Sequence, residues 1–211
     1  MLKGFYFVTD CVLSRDGILN DVREAVKAGA CAVQYREKNA ATATMIQEAS
    51  KLKILCKKTP FIINDRLDIA MGINADGVHL GQCDMPLSIA RKLLGSRKII
   101  GVTVHSLSQA ERAVKLKADY LGVSPIFKTA TKSDAGEPVG LGLIAEIRKK
   151  FKKVPIVAIG GINLLNASKV IVSGADALCA ISAVVKRGNV KNLIQRFLKE
   201  INSGLALRGM L

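Results

Sequence analysis

Along the chain, short runs of apolar and β-branched residues alternate with longer stretches in which apolar positions recur every three or four residues. The short runs fall at residues 4–9, 31–36, 61–64, 77–80, 99–103, 120–124, 156–159 and 177–181 and predict eight strands. Helical spacing fills the intervals, most clearly at residues 43–57, 108–116 and 143–151. A strand followed by a helix, repeated end to end, is the pattern of βα units around a parallel sheet. Three junctions share a phrase, Lys27-Ala28-Gly29-Ala30, Asn74-Ala75-Asp76-Gly77 and Ser173-Gly174-Ala175-Asp176, and each reads as a helix C-cap passing into a strand. Eight units with no composition break predict a single-domain α/β fold over residues 1–211, a (β/α)8 TIM barrel in preference to an open doubly wound sheet. Residues 203–211 show no usable period and read as a C-terminal tail.

Length supports one core: a chain of 211 residues buries roughly 70% of its unfolded surface, enough to stand without disulfides. The five cysteines, Cys11, Cys31, Cys56, Cys83 and Cys179, are scattered and form no Cys-x-x-Cys pair, so neither a disulfide framework nor a thiolate zinc site is indicated. Free thiols suit a reducing cytoplasm. The first ten residues turn polar too early for a signal peptide, and no apolar run approaches the ~18 residues of a membrane span. The expectation is a cytoplasmic protein with no membrane partner.

Charge changes the picture more than composition does. The 32 Lys+Arg exceed the 17 Asp+Glu, for a net charge of +15, which points to polyanionic ligands. A nucleic-acid-binding surface is one way to use such charge. Against it stand three Tyr, six Phe, no Trp and no recognisable binding motif, so no specific nucleic-acid partner is expected and small phosphorylated molecules are. The run Arg148-Lys149-Lys150-Phe151-Lys152-Lys153 falls at a predicted helix C-terminus, where cations suit the macrodipole, and reads as a solvated helix end.

Inward-facing strand residues of a barrel should be branched and apolar, and catalysis gathers at the C-terminal strand ends. Exceptions there carry information. The second strand ends Val33-Gln34-Tyr35-Arg36-Glu37-Lys38, and period-two alternation puts Gln34, Arg36 and Lys38 on one face. Stacked cations at a barrel mouth suit a phosphate or diphosphate better than a solvated edge. The third strand ends Asn64-Asp65-Arg66 and the fourth runs into Gly81-Gln82-Cys83-Asp84. Adjacent strands lie about 4.8 Å apart, so Asp65 and Asp84 can share one hard cation and leave sites free for phosphate oxygens, the usual mode of magnesium. The alternative is that each carboxylate merely caps the following helix.

Two late turns resemble phosphate cradles: Ile159-Gly160-Gly161-Ile162-Asn163 after the seventh strand and Ile181-Ser182-Ala183-Val184 after the eighth. The longest irregular stretch, residues 125–138, follows the sixth strand; its Lys128-Thr129-Ala130-Thr131-Lys132 adds hydroxyls and cations that can close over an anion. Its length and polarity raise the expectation of a lid. His79 reads as a packed, hydrogen-bonded residue, and Cys83 as a bystander. The mouth thus offers two anion sites, suited to joining two phosphorylated molecules.

These residues resemble the thiamine phosphate synthase family, also called thiamine-phosphate pyrophosphorylase. The likeness runs from Tyr6-Phe7-Val8-Thr9-Asp10 to Ala180-Ile181-Ser182-Ala183. Its most specific elements are Gln34-Tyr35-Arg36-Glu37-Lys38, Asn64-Asp65-Arg66, Gly77-Val78-His79-Leu80-Gly81-Gln82-Cys83-Asp84 and Ser124-Pro125-Ile126-Phe127-Lys128-Thr129-Ala130-Thr131-Lys132. The resemblance implies a Mg2+-dependent transferase that couples hydroxymethylpyrimidine diphosphate to hydroxyethylthiazole phosphate, releasing pyrophosphate, with no covalent protein nucleophile. It implies that Gln34, Arg36, Lys38, Asn64 and Lys132 hold the diphosphate, that Asp65 and Asp84 carry the metal, and that Thr103 faces the pyrimidine. Thr129, Thr131, Gly161, Ile181 and Ser182 fall on the thiazole phosphate site.

Three positions depart from the commonest family pattern: Thr103 stands where serine is usual, Ser124 where glycine is, and Lys128 where proline is common. None removes a group the chemistry needs. The rival is the related thiazole tautomerase, an isomerase, for which His105 would move the proton. Gly81-Gln82-Cys83-Asp84 together with Thr129-Ala130-Thr131-Lys132 favours the synthase. The sequence leaves oligomeric state open, a homodimer included.

Overall fold

The computed structural model describes residues 2–129, 131 and 136–210. Strands β1 (Gly4–Val8), β2 (Ala32–Tyr35), β3 (Phe61–Asn64), β4 (Gly77–Leu80), β5 (Ile99–Val104), β6 (Tyr120–Val123), β7 (Ile156–Ile159) and β8 (Ala177–Cys179) close in sequence order into a parallel barrel. Helices α1 (Ile18–Ala28), α2 (Thr42–Cys56), α3 (Leu67–Gly72), α4 (Leu87–Leu94), α5 (Leu107–Lys115), α6 (Gly140–Lys150) and α7 (Ala167–Val172) alternate with the strands, and β8 is followed by a short α8 (Ser182–Val185) and a long α9 (Val190–Gly209). Four strands stop short of the sequence expectation: Arg36, Ser124 and Ile181 line the mouth beyond β2, β6 and β8, and Thr9 follows β1 as a buried residue.

Alternation sorts the side chains into two cores. Phe5, Phe7, Val33, Phe61, Ile63, Ile100, Leu121 and Ile156 pack in the layer shared with the helices, whereas Tyr6, Val8, Ala32, Tyr120, Val157, Ala177 and Cys179 fill the barrel itself. The interior therefore departs from the branched, apolar filling expected: two tyrosines occupy it, their hydroxyls 2.8 Å apart. Gly101, paired with Tyr120 across β5 and β6, makes the room, since a Cβ there would sit 2.0 Å from the Tyr120 ring.

The N-terminal end of the barrel repeats one device. Asp76 accepts from the Phe61 N–H at 2.8 Å and returns its own N–H to the Phe61 carbonyl at 3.0 Å. Asp119 does the same to Ile100 (2.7 and 2.8 Å), and Asp176 to Ile156 (2.9 and 2.9 Å). The shared junction phrase thus does more than end a helix: its aspartate, just before β4 or β8, closes the first rung of the preceding strand. Cations finish the arrangement. Arg91 bonds Asp119 at 2.5 Å, Arg148 bonds Asp176 and the Gly174 carbonyl, and Arg208 lies 3.9 Å from Asp176. Arg148 is therefore a structural clamp and not part of a solvated helix end.

The predicted tail is also corrected. Residues 203–209 continue α9, which packs on α7 through Gly204: a Cβ there would stand 2.8 Å from Ile171 Cβ and the Ser168 carbonyl. Arg208 donates to the Ile171 and Ala175 carbonyls at 3.2 and 2.8 Å. One close glycine, Arg208 and the partly buried Leu205 hold this end, too few apolar positions to make a stripe to read.

Candidate active site

A cavity of about 380 Å³ opens at the C-terminal ends of the strands, and twelve of the thirteen site residues named from the sequence line it. Gln34, Arg36 and Lys38 come from the end of β2, Asn64 and Asp65 from β3, Asp84 from the turn after β4, and Thr103 from β5. Thr129, Thr131, Gly161, Ile181 and Ser182 form the other side. Lys132 lies outside the described residues, as do residues 130 and 133–135 of the loop expected to act as a lid. A second concavity lies at the N-terminal end among Lys57, Lys58, Asn74, Asp76, Arg97 and Lys98 and contains none of these groups.

Neither acidic residue caps a helix. α3 begins after Arg66 and α4 after Pro86, both without a side-chain cap. Asp65 instead takes a left-handed backbone, φ 61°, with its N–H on the His79 carbonyl at 2.8 Å. Its carboxylate meets Lys38 Nζ at 2.5 Å. Asp84 Oδ2 accepts from the Gly81 N–H at 2.6 Å, which closes the turn and presents the carboxyl to Asp65. Burial opposes ionisation of Asp65, but the hydrogen bonds from Asp84 and Lys38 and the charge of Lys38 outweigh it and hold this carboxyl below the usual range. Burial and then the neighbouring Asp65 push Asp84 the other way, upward. The opposite shifts are those of two like charges in contact, which resist ionising together.

Such a pair fits a hard divalent cation: two oxygen donors converge, and the repulsion that opposes ionisation of Asp84 beside Asp65 is what a divalent charge between them would relieve. Among the described residues no group of three or more His, Cys, Asp and Glu side chains gathers to hold a metal. Two carboxylates plus substrate oxygens is nonetheless the ordinary magnesium donor set.

Below the cavity runs a chain of hydrogen bonds. Gln34 Nε2 donates to the Tyr6 hydroxyl at 3.0 Å; Tyr6 meets Tyr120; the Tyr120 hydroxyl lies 2.9 Å from His79 Nδ1; and His79 Nε2 lies 2.8 Å from Thr103 Oγ1. The His79 ring also stacks on Tyr120. His79 is thus packed and hydrogen-bonded, as expected, and it fixes the Thr103 hydroxyl at the cavity wall. The tyrosines and Gln82, whose amide donates to the Thr103 carbonyl at 2.6 Å, were not singled out in the sequence. The signal for Tyr120 is indirect: Gly101 opposite it looks like a weak strand residue until its partner is known. His105 lines the same cavity and places Nδ1 2.6 Å from the Ser124 carbonyl.

The opposite wall is built from backbone. Gly160 and Gly161 have φ of 104° and 64°, conformations that favour glycine. The loop after β6 docks on this turn through Ile126 N–H to the Ile159 carbonyl and Phe127 N–H to the Gly160 carbonyl, both 3.0 Å. Close packing leaves no space for side chains, a Cβ on Gly161 falling 2.6 Å from the Lys128 carbonyl. Thr129 and Thr131, joined by a 3.2 Å bond from Thr131 N–H to Thr129 Oγ1, are thereby carried to the wall that Ser182 completes at the start of α8.

A closed parallel barrel with cations, paired carboxylates and a glycine turn at its mouth is a (β/α)8 protein equipped for phosphate-bearing ligands. The family profile described as thiamine monophosphate synthase matches residues 5–184, and the chain belongs to that family. It is 52% identical over 198 residues to the thiamine-phosphate synthase of Methanosarcina barkeri, covering 93% of this chain and 90% of that one. Against the thiamine-phosphate synthase of Chloroflexus aurantiacus identity is 50%, with 88% and 86% covered. The solved thiamine phosphate pyrophosphorylase from Pyrococcus furiosus superposes with a TM-score of 0.87 at 38% identity over 96% of each chain.

Proposed function

We propose that this barrel is a cytoplasmic, magnesium-dependent transferase that couples hydroxymethylpyrimidine diphosphate to hydroxyethylthiazole phosphate, forming thiamine phosphate and pyrophosphate. The observation that carries it is the meeting of two different anion-binding walls in one cavity, charged side chains on one side and backbone with hydroxyls on the other. Among the described residues no helix is long and apolar enough to cross a membrane.

In this proposal Arg36, Lys38, Gln34, Asn64 and Lys132 bind the diphosphate, and the cations take up the charge that builds on its oxygens as the C–O bond breaks and the electron pair leaves with it. Asp65 and Asp84 would hold Mg2+, which when bound supplies further positive charge against the leaving group. Thr103, oriented by His79, faces the pyrimidine ring, whose electron-rich system delocalises the positive charge left on the methylene carbon. Thr129, Thr131, Gly161, Ile181 and Ser182 hold the thiazole phosphate so that the ring nitrogen donates its lone pair to that carbon. No protein nucleophile is required, and positioning supplies much of the rate.

The test is product formation from both substrates with magnesium and again with a chelator. Thiamine phosphate made only with magnesium is the expected result. No product from folded protein with magnesium present would overturn the assignment and turn attention to isomerase activity at His105.

A further inference from the structure

Arg36 has a buried counterpart outside the site described above. Asp10 follows β1 and is 6% exposed. Its two oxygens have separate tasks. Oδ1 accepts from the backbone N–H groups of Val12 at 3.1 Å and Leu13 at 2.9 Å, which closes the turn after the strand and fixes the plane of the carboxylate. Oδ2 lies 3.8 Å from Arg36 Nη1. Thr9, also buried, holds the same arginine from the backbone side. Its N–H donates to the Gln34 carbonyl, and the Arg36 N–H donates to Thr9 Oγ1, both at 2.9 Å. The β1–β2 ladder thus runs one rung past its last paired residues, Val8 and Gln34, with a side chain as the final acceptor.

A carboxylate beside Arg36 weakens the pull of that guanidinium on any anion, so ground-state affinity does not explain its place. At 3.8 Å the pair is an electrostatic contact and not a full hydrogen bond, which leaves the N–H fork free for a ligand. What Asp10 supplies is orientation: a long, rotamer-rich side chain is held where charge will develop.

We propose that Asp10 is a positioning residue that holds Arg36 in the arrangement that meets the departing diphosphate, with Thr9 fixing the backbone from which that side chain springs. The inference rests on Arg36 being a diphosphate ligand. Asp10→Asn keeps an oxygen for Val12 and Leu13 and removes the charge facing Arg36. The expected result is a fall of about tenfold in kcat with KM for the pyrimidine diphosphate unchanged or lower. On an Arg36→Ala background the same substitution should alter turnover by less than about twofold, because the partner through which Asp10 acts is gone.

Calorimetric titration of inorganic pyrophosphate in magnesium buffer supplies a readout that needs no catalysis. Asp10→Asn should tighten pyrophosphate binding when Arg36 is present and leave it unchanged in Arg36→Ala. The same fold-change in both backgrounds, or a raised KM with kcat intact, overturns the positioning role. Absence of product from the wild-type chain would overturn the proposed reaction, while the pyrophosphate titrations would still decide the role of Asp10.

Discussion

The two ends of this barrel use the same residue types to opposite purposes. At the N-terminal end Asp76, Asp119 and Asp176 each accept a strand N–H, and Asp119 and Asp176 also meet arginines anchored on carbonyls. These charges are spent on the fold. At the C-terminal end Asp65 and Asp84 press against each other beside Lys38, so that one carboxyl is held ionised and the other is driven toward its neutral form. These charges are left unsettled, as a site for charged ligands requires. Burial alone does not separate the two sets; what separates them is that Asp76, Asp119 and Asp176 are met by strand N–H groups, with arginines added at the last two, whereas Asp65 and Asp84 are met by each other, a like charge.

The largest contrast is expected at Asp84. Asp84→Asn should lower turnover by about 100- to 1,000-fold while slightly raising the melting temperature of the ligand-free protein. The sign follows from the raised proton affinity of Asp84 in the folded state. The stability tied to that proton is complete below the ordinary carboxylate range and is lost as pH rises through the higher folded value. An amide, which keeps the hydrogen bond to Asp65 and cannot ionise, removes the loss, for a gain of about 1–3 °C near neutral pH. Asp65 behaves oppositely: its stabilisation is present above the unfolded range and disappears as pH falls through its depressed value. Steady-state rates and thermal melts of Asp84→Asn at several pH values check both halves, and full activity would remove Asp84 from the site.

Next in size is Asp176→Ala, which strips a partner from the Ile156 N–H, Arg148 and Arg208 at once. A loss of about 3 kcal/mol is expected, equivalent to roughly 6–12 °C in melting temperature for a domain of this size. Turnover per folded molecule, measured well below the melting point, should stay at the wild-type value; a large fall would mean that the two ends are coupled. The smallest effect belongs to Thr103→Ser. It keeps the hydroxyl that meets His79 and removes one methyl at the cavity wall, so KM for the pyrimidine diphosphate should fall by less than about threefold. A change of tenfold or more would make that methyl a determinant of ring fit.

Both ends were visible in the sequence to different degrees. Strand order and closure followed from period-two runs recurring eight times, and β3, β4 and β7 fall on the expected residues. The mouth was legible because Gln34, Arg36 and Lys38 break the rule that inward strand positions are apolar. Tyr6 and Tyr120 escaped notice because an aromatic residue in a strand satisfies that rule on paper, and only the fold shows their hydroxyls bonded to each other in the middle of the barrel. Arg148 sits in a run of cations that looks uniform, yet distance in the chain hides its partners at Gly174 and Asp176. The end of α9 was missed for a related reason: Gly204 packs by being small, which no hydropathy pattern records.

The aspartate caps also divide the molecule in a way the symmetric barrel does not suggest. Each reciprocal pair of bonds joins an odd strand to the even strand after it, β3 to β4, β5 to β6 and β7 to β8. The ladder itself is continuous around the barrel, but among the described residues the junctions between β2 and β3, β4 and β5, and β6 and β7 carry no such reciprocal cap. A chain break or an inserted segment between the strands of an uncapped junction severs none of these caps, whereas the same alteration between β3 and β4, β5 and β6, or β7 and β8 parts an aspartate from the strand it closes.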